Sequence, residues 1–245
     1  MPVFFIQTTD IVDGIVSIHG DLFRHLAKSL RIKPGESLIF NDEQGTRYVT
    51  SVREITKGSL KAGIEHIETN PTLFSYPLVL GQAILKGDKM SWIIQKATEL
   101  GVGTIVPLQT ERVVSKFHHA HNTHLETRWS RIALEAAQQS ERWIPPRIAP
   151  ITTFSQFIKD YSTIQTKLIL AERSHGLRLA QQPLPTAFQE AIVIAIGPEG
   201  GWSSEELAIA KMANFSFTTL GAQILRAETA SLATLAILQS SLQIL

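Results

Sequence analysis

The feature that most constrains this chain is a change of pattern at residues 68–77, where Pro71 and Pro77 remove strand donors and mark a linker. Upstream, segments 3–6, 15–18, 37–40, 47–53 and 60–67 are rich in β-branched and aromatic residues. The turn signals Asp13-Gly14, Pro34-Gly35, Glu43-Gln44-Gly45 and Lys57-Gly58 separate them. Short strands with this spacing predict a small β-barrel or sandwich. One helix, at 21–30, interrupts them, with Leu22, Phe23, Leu26 and Leu30 on one face and a basic stripe of Arg24, Lys28 and Arg31 on the other. Downstream, strands predicted at 78–85, 104–108, 167–171, 192–196 and 217–220 alternate with helices at 91–100, 127–140, 203–212 and 228–242. That order belongs to an α/β domain on a mostly parallel sheet.

Several function classes fall away on composition. The chain has no cysteine, which excludes a disulfide framework, a thiolate zinc site, an Fe–S cluster and a cysteine nucleophile. The formal net charge is only +1, so a nucleic-acid partner has to be held by local basic patches. Apolar runs such as 191–196 and 232–238 are too short to span a bilayer, and residues 1–7 lack the makeup of a secretory signal. A cytoplasmic location is the expectation.

Two segments carry the chemistry. The apolar run 191–196 enters Gly197-Pro198-Glu199-Gly200-Gly201-Trp202, after which Ser203 and Glu206 form a capping box that opens a helix. Such a turn, at the carboxyl end of a buried strand, lies where open α/β sheets bind ligands, and its glycines allow close backbone approach. It is no phosphate cradle, because Pro198 removes an amide donor and Glu199 repels an anion. A ligand with hydroxyls, amines or a positive centre fits better, and S-adenosylmethionine is one of many such molecules. A purely structural turn satisfies the same residues. The second segment runs from Leu220 and Gly221 through Ile224, Leu225 and Arg226 to Glu228, where a nearly all-apolar helix begins. Such a helix is buried in a core or against a partner. Charges at its mouth need partners, so Arg226 is read either in a bridge to a carboxylate or beside a reacting group.

Taken together, the residues resemble a known family. The motifs are Lys86-Gly87-Asp88-Lys89-Met90, the stretch 94–102, Glu111-Arg112, the stretch 135–140, residues 197–201, and Leu220-Gly221 followed by 224–229. In this order they are similar to the RsmE family, SPOUT-superfamily methyltransferases that modify N3 of a uridine in 16S ribosomal RNA of the small subunit. His25 and Leu30-Arg31 extend the likeness to nearly the whole chain.

The resemblance implies a PUA-like β-barrel for RNA binding over 1–72 and a SPOUT α/β domain with a trefoil knot over 73–245. It also implies S-adenosylmethionine as cofactor and a homodimer formed through the second domain. Carried over by position, Leu170, Ile196, Gly197, Gly200, Gly201, Leu220, Gly221, Ile224 and Leu225 hold the cofactor. Arg226 stabilises the developing anion, and Glu199 or Glu228 accepts a proton. Arg24, Lys28, Arg31, Lys86, Lys89, Arg112 and Arg142 are the candidate RNA contacts. The chain departs from the family in lacking an arginine around Pro2-Val3-Phe4, and in Ser91 and Glu141 where Glu and Gly are expected. Without cysteine, methyl transfer is restricted to direct displacement at nitrogen or oxygen. Other readings are a SPOUT enzyme with a different RNA target and a non-catalytic ribosome-assembly factor. The histidines 118, 119, 121 and 124 are read as a solvated loop and not as a metal site. Trp92, Trp129 and Trp143 are read as core or interface residues.

Overall fold

A computed structural model describes residues 3–70, 77–112, 119–171, 176–185 and 190–242, so most of the expected linker at 68–77, together with Pro2 and His118, lies outside the described residues. Two compact units result: residues up to 73 with 137–145, and residues 74–136 with 146–245.

In the first unit, β1 (Val3–Phe5), β2 (Ile11–Val12), β3 (Ile15–Ile18), β4 (Ser37–Asn41), β5 (Thr46–Ile55) and β6 (Leu60–Thr69) pair in the order β1-β4-β5-β6-β3-β2. The β1–β4 pair is parallel and the others are antiparallel. Period-two patterning sends Tyr48, Thr50 and Val52 of β5 inward, and Phe4, Phe40, Leu26 and Leu60 complete the core.

After β3, α1 (Gly20–Arg24) passes directly into a π-helical turn at His25–Ser29. That turn corrects one expectation. The amide of Leu30 bonds five residues back to His25, and the widened turn rotates Leu30 off the apolar face, leaving it 43% exposed. Ile32 packs against the core nearby. Arg31, at φ 55°, lies past the helix, so the basic stripe is not one continuous helical face. Arg24, Lys28 and Arg31 are all exposed, and Arg24 pairs with Asp21.

Residues 137–145 belong to this unit through a specific set of bonds. The Asn41 side chain donates to the carbonyls of Arg142 at 2.8 Å and Trp143 at 3.2 Å, and it accepts from Arg47 Nε at 3.0 Å. Arg47 also donates to the carbonyl of Glu141 and stacks 4.0 Å above the Trp143 ring.

The second unit contains β7 (Leu78–Ala83), α2 (Lys89–Glu99), β8 (Thr104–Gln109), α3 (His119–Gln139), β9 (Arg147–Ile148), β10 (Thr152–Thr153), α4 (Phe154–Asp160), β11 (Thr166–Leu170), β12 (Leu177–Arg178), β13 (Ile192–Ile196), α5 (Ser204–Met212), β14 (Ser216–Thr219) and α6 (Ala227–Ser241). Its sheet runs β10-β8-β7-β13-β11-β14-β12, with β9 also on β8, and every pair is parallel. Both faces are covered, which explains the unbroken apolar runs in the strands. Leu78, Leu80, Ile105, Leu168, Ile192 and Ile194 face α2, α3 and α6, whereas Val79, Val106, Ile169, Val193 and Ala195 face α4 and α5.

Helix α4 is too short for its periodicity to stand out in the sequence, and it is held by a Thr153 cap and the buried Phe154, Phe157 and Ile158. Trp129 is in the core, whereas Trp92 is 42% exposed and is not a core residue of this unit.

One face of helix α6, with Ala230, Ser231, Thr234, Leu235, Leu238 and Gln239, is buried within its own unit and tied there by polar atoms. Ser231 Oγ donates to the buried Gln82 of β7 at 2.6 Å, and Gln239 donates to the Leu100 carbonyl beyond α2 at 2.6 Å. The Ser231→Ala variant leaves the Gln82 carbonyl oxygen buried without its donor and is expected to lose about 1–3 kcal/mol of stability, read by urea denaturation.

Candidate active site

The apolar strand β13 ends at Ile196 and gives way to a turn packed around Trp202. A Cβ on Gly197 would stand 3.1 Å from the indole, so this position has little room for a side chain. The indole is buried, donates to the Leu170 carbonyl at the end of β11 at 2.9 Å, and packs on Phe154 with ring centres 4.6 Å apart. Gly201, at φ 69°, closes the turn by donating to the Pro198 carbonyl at 2.9 Å. Ser203 and Glu206 then form the capping box of α5.

Glu206 does more than cap. One carboxylate oxygen accepts from the Ser203 amide at 2.9 Å, and the other accepts from the Glu111 amide, also at 2.9 Å. This draws the segment after β8 toward the turn, where Arg112 donates to the Gly200 carbonyl at 3.0 Å.

The chain leaves β13 for α5 on one face of the sheet and leaves β14 for α6 on the other. Ligands in open α/β sheets settle where connections diverge in this way. A cavity of about 620 Å³ lies there, lined by Leu170, Ala171, residues 196–202, Leu207, residues 224–227, Ala230 and Arg112. Of the residues expected at the cofactor, Leu170, Ile196, Gly197, Gly200, Gly201, Ile224 and Leu225 line this cavity. Leu220 and Gly221 are not among its lining residues. Leu220 packs against the core, and Gly221 is bonded to the Thr219 hydroxyl. Residues 172–175, in the loop after Leu170, lie outside the described residues.

The charged groups are arranged differently from expectation. Lys89 Nζ lies 3.1 Å from Glu199 and 3.4 Å from Glu228. Of the two readings for Arg226, the bridge to a carboxylate is not formed among the described residues, and Lys89, at the start of α2, contacts Glu228. The Arg226 side chain is exposed and makes no hydrogen bond or ion pair among the described residues. Burial raises the Glu199 carboxyl, but its own amide, the Lys89 ammonium and the Lys86 amide outweigh that and hold it below the usual carboxylate range. Lys89 is raised, chiefly by its hydrogen bond to Glu199.

Among the other expected RNA contacts, Lys86 is exposed, and Arg142 is half-buried in the first unit, where burial pushes its guanidinium down to about 10. The loop expected at the histidines is instead the start of α3, which contains His119, His121 and His124; among the described residues no cluster of three His, Asp or Glu is spaced to hold a metal, and the side chains of His119 and His121 lie outside those described. The sequence reading missed Trp202 as the floor of the turn, although an aromatic residue directly after Gly200-Gly201 was the available signal.

Residues 73–239 match the family described as RNA methyltransferase domain, and residues 18–65 match the RNA methyltransferase PUA domain. A ribosomal RNA small subunit methyltransferase E from Synechocystis is 34% identical over 239 residues, spanning 95% of this chain and 75% of that protein. The chain belongs to the ribosomal RNA small subunit methyltransferase E family. Another family member, from Buchnera aphidicola, is 30% identical and spans 96% of this chain and 93% of its own. The crystal structure of a member from Neisseria gonorrhoeae, bound to S-adenosylmethionine, is 31% identical with a TM-score of 0.87, covering 98% of this chain and 97% of that one.

The Glu206→Ala variant leaves two backbone donors without acceptors and is expected to cost about 2–3 kcal/mol. Faster hydrogen exchange at the Glu111 amide checks that the segment carrying Arg112 is released.

Proposed function

We propose that this chain transfers the methyl group of S-adenosylmethionine to N3 of a uridine, U1498 by family resemblance, in 16S ribosomal RNA of the small subunit. The observation that carries this reading is the convergence of residues 196–202 and 224–227 on one cavity at the strand ends. Its volume of about 620 Å³ suits a small-molecule cofactor. Leu170, Ile196 and Leu225 offer apolar walls for a base, and a Cβ on Gly197 or Gly200 would press on Trp202 or Arg112. Pro198 and Glu199 disfavour an anionic ligand and are compatible with a sulfonium.

In this reading Leu170, Ile196, Gly197, Gly200, Gly201, Ile224 and Leu225 hold the cofactor. Leu220 and Gly221 shape the exit from β14. Bound there, the cofactor supplies an electrophilic methyl. The Arg226 guanidinium, without a hydrogen bond or ion pair among the described residues, stabilises the anion that develops as uridine N3 loses its proton. Glu199, which lines the cavity, or Glu228, which directly follows Ala227 of its wall, accepts the imide proton.

Residues 1–72, with Arg24, Lys28 and Arg31, serve RNA binding, as do Lys86 and Arg112, and residues 73–245 carry the chemistry. The desolvated Arg142 suits a phosphate contact less well. The SPOUT trefoil knot, the homodimer and a cytoplasmic location follow from the same family reading. No helix among the described residues is long and apolar enough to cross a membrane.

Arg226→Ala is expected to lower methylation of small-subunit RNA by about a hundredfold or more while changing S-adenosylmethionine affinity less than about twofold. Single-turnover assays, mass spectrometry of digested RNA and calorimetry provide the readouts. Retained turnover removes Arg226 from catalysis, and a methyl found on another nucleotide overturns the substrate.

A further inference from the structure

Three separate elements meet at one ammonium. Lys89 opens α2, Glu199 sits in the turn after β13, and Glu228 lies in the first turn of α6. Both carboxylates bear on the same nitrogen, at 3.1 and 3.4 Å. Glu199 belongs to one wall of the cavity, and Glu228 directly follows Ala227 of the other. The Lys89 side chain is 38% exposed, yet the trio carries one net negative charge, which disfavours a phosphate at this ammonium.

We propose that Lys89 is a positioning residue for the cofactor cavity, a cationic strut that holds the turn after β13 and the start of α6 at their working separation. It replaces the phosphate-contact role expected for Lys89 from the sequence. Without the ammonium, Glu199 and Glu228 become two like charges facing the same space, and their repulsion spreads the two walls. The proposal rests on the methyltransferase reading, since it concerns the site where that reading puts the cofactor.

The test is calorimetric titration with S-adenosylmethionine in the absence of RNA, on wild type, Lys89→Met, Lys89→Arg and the double variant Lys89→Met/Glu199→Gln. Lys89→Met is expected to weaken binding by about tenfold, through lost attraction and new repulsion together. Lys89→Arg restores most of the affinity, because a cation again spans the two carboxylates. The double variant binds better than Lys89→Met alone, because one of the repelling charges is gone, a recovery that simple loss of packing does not give. Unchanged affinity in Lys89→Met overturns the strut. So does a double variant no better than the single one. If Lys89 is a phosphate contact instead, Lys89→Met binds the cofactor normally and reduces the salt slope of RNA binding by about one. Wild-type protein that binds no S-adenosylmethionine overturns the methyltransferase reading and this proposal with it, whereas normal binding by both wild type and Lys89→Met overturns this proposal alone.

Discussion

The arrangement of the site depends on one buried indole. Trp202 follows the glycine turn, packs on Phe154 of α4, lies beneath Gly197 and donates to the Leu170 carbonyl. It thereby joins the ends of β11 and β13, which are neighbours in the sheet, and sets the height of the turn above them. A side chain at Gly197 and the Trp202 ring compete for the same space, so the smallest residue and the largest have to occur together here. The turn is consequently firm without regular secondary structure, which suits a wall that meets a ligand through its backbone.

The opposite wall is fixed by a different device. Helix α6 enters the face of the sheet that α5 does not occupy, and a buried amide on β7 holds Ser231, one turn beyond Glu228. Polar pairing inside an otherwise apolar layer specifies the rotation and depth of the helix more narrowly than aliphatic packing does. The charges at the mouth follow from that placement. Lys89 reaches both carboxylates, and the Arg226 guanidinium is left without a protein partner among the described residues and faces the cavity region. A cation without a protein counter-charge beside a cavity is suited to an anion that appears only during reaction.

Much of the fold is legible along the chain because its patterns are strong. The runs at 15–18 and 192–196 coincide with β3 and β13, and Ser203 with Glu206 marks the start of α5 through a local motif. Local patterns fail where a distant partner decides the outcome. The π turn after α1 takes Leu30 out of register, the seven residues of α4 carry too little periodicity, and Lys89 has its contacts set by residues 110 and 139 positions away. The glycines of the turn are visible in the sequence, but the reason for Gly197 is the Trp202 ring that folds back beneath it. Residues 137–145 join the first unit through Asn41 and Arg47, whose hydrogen bonds have no signature in the sequence around either partner.

Two segments that are remote in sequence, 196–202 and 224–227, line one cavity, and the proposed function has them grip the same molecule. Hydrogen–deuterium exchange of the protein with and without saturating S-adenosylmethionine tests it most directly. Slowed exchange is expected in both segments together, with little change in β4, β5 and β6. Protection of neither segment, or of one without the other, would contradict it.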